Sequence, residues 1–96
     1  MSKGKVVVRH KVHDFATWKP YFTGDTERQR EVSFTHLRLT RNKHDRDELV
    51  IIFDCEDLDK AKPMFSEPNL GGLMRKAGVL DQPAVFFLEE IEARDL

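Results

Sequence analysis

Only one cysteine stands among the 96 residues, so no disulfide can form within the chain and no cysteine-rich zinc site can be built. No apolar run is long enough for a bilayer, and the Val6-Val7-Val8 run in MSKGKVVVRHKV is too short for the core of a secretory signal. The cytoplasm is therefore the expected location, and the lone Cys55 suits a reducing compartment. No tract carries a single charge sign: 16 basic residues face 17 acidic ones and the net charge is −1. That removes the basic surface on which nucleic-acid binders release counterions. The aromatic-rich strand motif of RNA-recognition domains is missing as well. So are repeats, low-complexity segments, a nucleophile elbow, a phosphate loop, a dinucleotide fingerprint and a Cys-x-x-Cys pair. His13 and His44 have no second ligand at metal spacing. The expectation is one domain over residues 1–96, with no metal, no cofactor, no nucleic acid and no membrane.

What is present is an ordinary globular balance, 40% hydrophobic and 34% charged. A chain this short buries only about 60–65% of the surface its unfolded form exposes, and a partner subunit would thicken so thin a core. Lys5 to Val12 reads as a strand, with Val6, Val8, His10 and Val12 on one face and Val7, Arg9 and Lys11 on the other. Asp14 is placed to cap a helix in which Phe15, Trp18 and Phe22 share a side, and Pro20 should kink it. Its second half, Asp25 to Glu31, has no large apolar residue. Val32 to Arg41 and Glu48 to Glu56 read as a hairpin around a charged loop, Asn42 to Asp47. Leu49, Ile51, Phe53 and Cys55 then share a face. Asp57 caps a second helix, interrupted by Pro63 and Pro68 and resumed through Leu70, Leu73, Met74 and Ala77 to a stop at Gly78. Ala84 to Ile91 is the last strand.

Strand, helix, strand, strand, helix, strand is the ferredoxin-like βαββαβ order, an α+β fold with a four-stranded antiparallel sheet and two helices on one face. The expected helix-covered face carries Val6, Val8, Val12, Leu49, Ile51, Phe53, Phe86 and Leu88. The expected open face carries Val7, Arg9, Val50, Ile52, Asp54, Val85, Phe87 and Glu89, with Arg9 between Asp54 and Glu89 as partners. So much Val, Ile and Phe on an open face calls for a second copy laid sheet to sheet.

The runs VVVRHKVHDFATWKPYF, LVIIFDCEDLDKAKPMF and LMRKAGVLDQPAVFFLEE resemble bacterial members of the dimeric α+β-barrel superfamily. The likeness rests on the strand motif HKV, the helix start Asp14-Phe15-x-x-Trp18 and the helix end Met74-x-x-Ala77-Gly78-Val79. That superfamily includes cofactor-free antibiotic-biosynthesis monooxygenases, polyketide cyclases and haem-degrading enzymes. The resemblance implies a homodimer with a cavity between sheet and helices in each subunit. It transfers no catalytic set, and no His lies on a pocket-facing helix as an axial haem ligand.

His10 interrupts the core-facing row of valines. It is either a satisfied core histidine or a pocket-wall general base, and burial without an acidic neighbour would disfavour its charged form. Trp18, Phe22, Phe53, Met64, Phe65, Met74 and Phe86 are core residues of which some border an apolar pocket, and Tyr21 brings the only phenol beside them. Thr26, Gln29 and Arg30 are either the solvent end of the helix, the reading preferred, or the polar end of that pocket. His36 should alternate with Val32, Phe34 and Arg38 on an edge strand, facing solvent or a partner. Cys55 reads as packing, and Gly71-Gly72 is no phosphate site. Three functions remain open. They are a small-molecule-binding, cofactor-independent monooxygenase or cyclase acting on an aromatic or polyketide-like compound, a non-catalytic ligand-binding module, and a protein-interaction module using a sheet edge.

Overall fold

Three consecutive valines start the sheet at its centre. In the computed structural model, which describes residues 3–66, 78 and 83–96, they lie in β1 (Gly4–Lys11). There follow α1 (Phe15–Gly24), α2 (Thr26–Glu31), β2 (Phe34–Asn42), β3 (Asp45–Cys55), α3 (Leu58–Ala61), a 3-10 turn (Lys62–Ser66) and β4 (Ala84–Glu89). The strands are antiparallel in the order β2-β3-β1-β4, which is the ferredoxin-like sheet with the first and third strands central. Leu70, Gly71, Gly72, Leu73, Met74 and Ala77, expected in the second helix, lie outside the described residues.

Alternation sets the core. Val6, Val8 and His10 of β1 and Leu49, Ile51, Phe53 and Cys55 of β3 are buried on one face, joined by Val12, Trp18, Phe34, Leu58, Ala61 and Met64. Each such apolar side chain contributes about 1.5–3 kcal/mol by leaving water. Gly4 has a specific reason: a Cβ there would fall on the Leu88 carbonyl, so only glycine lets β4 pair this closely with the start of β1. Gly78 lies at φ 85, the left-handed region, and its carbonyl accepts from the His13 N–H at 2.7 Å.

Four expectations need correction. The first is the facing of β4: Val6 pairs with Phe87 and Val8 with Val85, so Val85 and Phe87 face the core. Phe86 and Leu88 instead lie on the helix-free face, 51% and 47% exposed. The run Ala-Val-Phe-Phe-Leu is apolar at every position, so periodicity could not choose a face and pairing with β1 did. Second, the first helix breaks at Asp25 and not at Pro20. The carbonyl that Pro20 cannot serve belongs to Ala16, which is exposed and open to water. At the break the Thr26 hydroxyl donates to the Thr23 carbonyl at 2.6 Å, a local bond that competes with the helix ladder.

The third correction is the hairpin. Its strands run on until only Lys43 and His44 are left as a turn, with Asn42 opposite Asp45. Polar side chains do this: the Asn42 side-chain oxygen accepts from the His44 N–H at 2.8 Å, and its amide donates to Glu48 at 3.0 Å. Fourth, Arg9 pairs with Glu48, while Asp54 pairs with Lys5. A third pair, Lys11 with Asp45 at 3.0 Å, completes the row of β1 cations matched by carboxylates from β3.

Candidate functional site

The space between helices and sheet is filled by a row of rings. His10 and Trp18 have centroids 5.6 Å apart, Trp18 stacks on Phe22 at 4.8 Å, Phe22 meets Phe53 at 6.3 Å, and Phe53 stacks on Phe34 at 4.2 Å. The spacing of Phe15, Trp18 and Phe22 along α1 puts all three rings over the sheet, and Arg41 lies 4.9 Å over the Phe15 ring.

The row ends in a cavity. It measures about 140 Å³ and is lined by Thr26, Gln29 and Arg30 from α2, Phe34, Thr35, His36 and Leu37 from β2, and Phe53 from β3. Two backbone irregularities make it. The first is a bulge in β2: Phe34 pairs with Cys55 and His36 with Asp54, leaving Thr35 as the extra residue. Before the bulge Phe34 faces the core; after it Leu37 and Leu39 do, while His36 and Arg38 pass to the helix-free face beside Asp54 and Ile52. The expected shared face of Phe34, His36 and Arg38 is therefore corrected. The second irregularity is Ser33, at φ 70 without being glycine. Its hydroxyl donates to the Asp57 carbonyl and accepts from the Asp57 N–H, both at 3.1 Å, and its carbonyl accepts from the Glu56 N–H at 3.0 Å. These bonds hold the turn from α2 into β2 against the end of β3.

Among the described residues expected to border the apolar part of a pocket, Phe53 stands at the cavity wall. Phe22 stands one ring behind it and Trp18 two. His10 is 3% exposed, on the helix-covered face as expected, and does not line the cavity. Met64 is buried in the core, Phe65 meets Phe87 edge-on at 5.8 Å, and Tyr21 is exposed. Phe86 lies on the opposite face of the sheet, and Met74 lies outside the described residues. The polar end of the helix is the part undervalued from sequence. Gln29 is only 6% exposed, although its helix carries no large apolar residue. The signal was available: an α2 without apolar residues that still lies against the sheet must present polar groups inward. Phe34, Thr35 and Leu37 had no such signal, because the bulge leaves none.

Chemically, the cavity offers an apolar wall from Phe34, Phe53 and Leu37, an amide at Gln29, hydroxyls at Thr26 and Thr35, and a guanidinium at Arg30. Among the described residues no carboxylate pairs with Arg30 and none lines the cavity. His36 contributes to the lining as the residue after the bulge, while its side chain passes to the helix-free face. Its charge and that of Arg38 help hold the Asp54 carboxyl below its ordinary value, after the larger effect of the hydrogen bond from Lys5. Among the described residues no group of three His, Cys, Asp or Glu side chains gathers as a metal site.

This architecture recurs in solved structures. One is SnoaB, a cofactor-independent oxygenase from Streptomyces nogalater, with TM-score 0.66 and 18% identity over 94% of this chain and 96% of that one. The chain shares their ferredoxin-like α+β fold. A monooxygenase with that fold, from the gene ActVA-Orf6 of Streptomyces coelicolor in complex with nanaomycin D, matches at TM-score 0.67 and 20% identity over 99% and 93% of the two chains. The NE2512 protein of unknown function from Nitrosomonas europaea matches at 0.69 and 14%, over 100% and 96%. No family model matches the chain, and no curated protein matches it. At these identities the likeness concerns the fold. Among the described residues no helix is long and apolar enough to cross a membrane.

Proposed function

We propose that this chain binds a small aromatic or polyketide-like molecule in the cavity between α2 and β2, as a cofactor-independent monooxygenase or cyclase would. The observation that carries the reading is the cavity itself: an aromatic wall from Phe34 and Phe53 facing a few polar groups and one cation, the usual composition of a small-molecule site. Oxygenation without a cofactor needs a substrate that supplies its own electrons. An ionised phenol or enol is the electron-rich form, and a guanidinium at Arg30 stabilises that anion. The likeness to SnoaB, a cofactor-independent oxygenase, and to a monooxygenase in complex with nanaomycin D supports this reading.

A second reading, a non-catalytic binding module, is favoured by one feature. His36 is exposed with its side chain on the helix-free face, and no carboxylate among the described residues lines the cavity, so the lining holds no buried acid–base pair. One experiment separates the two: purified protein is screened against phenols and 1,3-diketones for thermal stabilisation, then for oxygen uptake. Binding with uptake supports the enzyme, binding without uptake the module, and no binding removes both. In either case we assign His10 to the packing of Trp18 rather than to contact with ligand, because two rings separate it from Phe53.

We also propose a homodimer closed by the helix-free faces. Val7, Val50, Ile52, Ala84, Phe86 and Leu88 share that face. Its β1 cations Lys5, Arg9 and Lys11 are matched by Asp54, Glu48 and Asp45 of the same chain, with Arg38 toward the β2 edge, so a second copy meets an apolar centre flanked by largely paired charge. Light scattering should give twice the chain mass. Ile52→Asp should give monomer or aggregate, because it buries an unpaired charge, and a stable wild-type monomer would refute the dimer. A cytoplasmic location belongs to the same reading and rests on the free, buried Cys55.

A further inference from the structure

We infer that each copy's C-terminal segment, residues 90–96, lies along the free edge of its partner's β2 and closes the mouth of the partner's cavity. The inference rests on the dimer closed by helix-free faces and deepens it, because each binding site is then built from two chains. Charge is divided between the two edges of the sheet. β2 carries His36, Arg38 and Arg41 and no carboxylate. At the opposite edge β4 ends in Glu89, and Glu90, Glu92 and Asp95 follow with Arg94 as the one cation. Arg94 pairs with Glu92 at 3.1 Å. Among the described residues no ion pair holds Arg38, Glu89, Glu90 or Asp95.

Register decides where the two edges meet. Across the sheet Phe34 pairs with Cys55, Cys55 with Gly4 and Gly4 with Glu89, so β4 ends where β2 begins. The cavity, lined by Phe34 and Thr35, lies at that same end. Two aligned sheets meeting face to face admit a two-fold axis across the strands or one along them. The first lays β2 on β2, so that Arg38, in the middle row with Ile52, Val7 and Phe86, faces its own copy. The second lays β4 on β2 with the strand ends aligned. Arg38 then faces the partner's exposed Phe86, a cation over a ring, and the partner's acidic segment leaves β4 beside His36. Charge selects the second arrangement.

The segment has the length and the apolar residue that the rest of the path needs. Facing sheets lie about 10 Å apart, and residues 90–96 fully extended span at most about 25 Å. That carries them round β2, whose outer edge pairs with no other described strand, to Leu37 at the cavity mouth. Leu37 is 39% exposed and Ile91 is 98% exposed, and contact between them takes both from water.

Light scattering and paramagnetic broadening on one sample test the placement. Full chain carrying Ala93→Cys with a nitroxide label is mixed in urea with unlabelled, isotope-enriched chain and refolded, so that only contacts between copies are read. The label is attached to the folded protein, where Cys55 is 2% exposed and protected. The expected result is the mass of a dimer, with the amide signals of His36, Leu37 and Arg38 broadened and those of Ala84 and Val85 not. Broadening at Ala84 and Val85 instead, or a dimer without broadening, would overturn the placement and leave the dimer. A monomer would remove the dimer and this inference together. Arg38→Glu and Glu90→Lys should each weaken the dimer by about tenfold, and the two combined should recover most of the loss. Losses that simply add would overturn the pairing of the two edges. Ile91→Ser should leave the dimer in place and weaken binding of the phenol 4-hydroxybenzoate by about tenfold. Unchanged affinity would overturn the closure of the cavity. No binding by the wild-type chain would remove the cavity as a site, and its closure with it, while the broadening still decides where the segment lies.

Discussion

The two ends of the ring row are built by opposite means. At the His10 end every element is regular: β1 pairs with β3 without a slip from Gly4 to Lys11, α1 runs unbroken beneath it, and Val12, Leu49 and Trp18 close the space. At the Phe34 end each element departs from its ideal. The first helix breaks at Asp25, Ser33 enters the left-handed region, and β2 carries an extra residue at Thr35. The same aromatic side chains pack solidly at one end and leave about 140 Å³ open at the other. Regular periodicity lets side chains interdigitate to full density, and a cavity opens where the backbone fails to deliver the next side chain.

That contrast is broken most severely at Trp18. Trp18→Ala removes the ring that links the two ends and should cost about 3–5 kcal/mol. In a chain of this size such a loss approaches the whole stability of the fold, and a urea melt will show it. A loss below about 1 kcal/mol would mean that the closed end is not packed as described.

His10→Gln sharpens the comparison, because the two ends should respond differently. It alters a buried polar group at the closed end and should cost about 1–3 kcal/mol of stability. Affinity for 4-hydroxybenzoate should stay within about twofold, since distant sites act independently. A variant that folds normally yet loses binding would restore His10 to the site.

The smallest effect belongs to the helix-free face and reads out with pH. Hydrogen bonds from Lys11, Arg9 and Lys5 hold the carboxyls of Asp45, Glu48 and Asp54 below their ordinary values of 3.8, 4.5 and 3.8. A carboxyl whose folded value is depressed contributes stability that is fully present above its unfolded value and is lost as pH falls through the folded one. Urea midpoints should therefore stay level from neutral pH to the ordinary carboxylate range and decline only below it. In the single chain the Asp45 and Asp54 side chains are 34% and 38% exposed, so their share of the decline should be shallow. Removing one of the pairs by Lys5→Met should make it shallower still.

The regular end was legible in the sequence and the irregular end was not. Alternation alone placed Val6, Val8, His10, Leu49, Ile51, Phe53 and Cys55 on one face, and the spacing of Phe15, Trp18 and Phe22 laid α1 over it. In β4 the same method failed because Val85, Phe86, Phe87 and Leu88 are all apolar and only hydrogen-bonded register tells them apart. Around the cavity the decisive features were single residues in unusual backbone states. Ser33 and Thr35 carry no composition signal for a left-handed turn or a bulge, and without them Leu37 cannot be placed on the helix-covered face. Gln29 was visible as a polar residue on a helix without apolar ones, and its burial follows from the helix break that precedes it.

The central claim is that the ligand enters at the irregular end. Amide nitrogen–proton correlation spectra of the full chain, recorded while 4-hydroxybenzoate is added, test it most directly. The account predicts shifts concentrated at Thr26, Gln29, Arg30, Thr35 and Leu37, with His10, Val12 and Leu49 unmoved. Shifts clustered at His10, Val12 and Leu49, or on the helix-free residues Val7, Ile52 and Phe86, would contradict it.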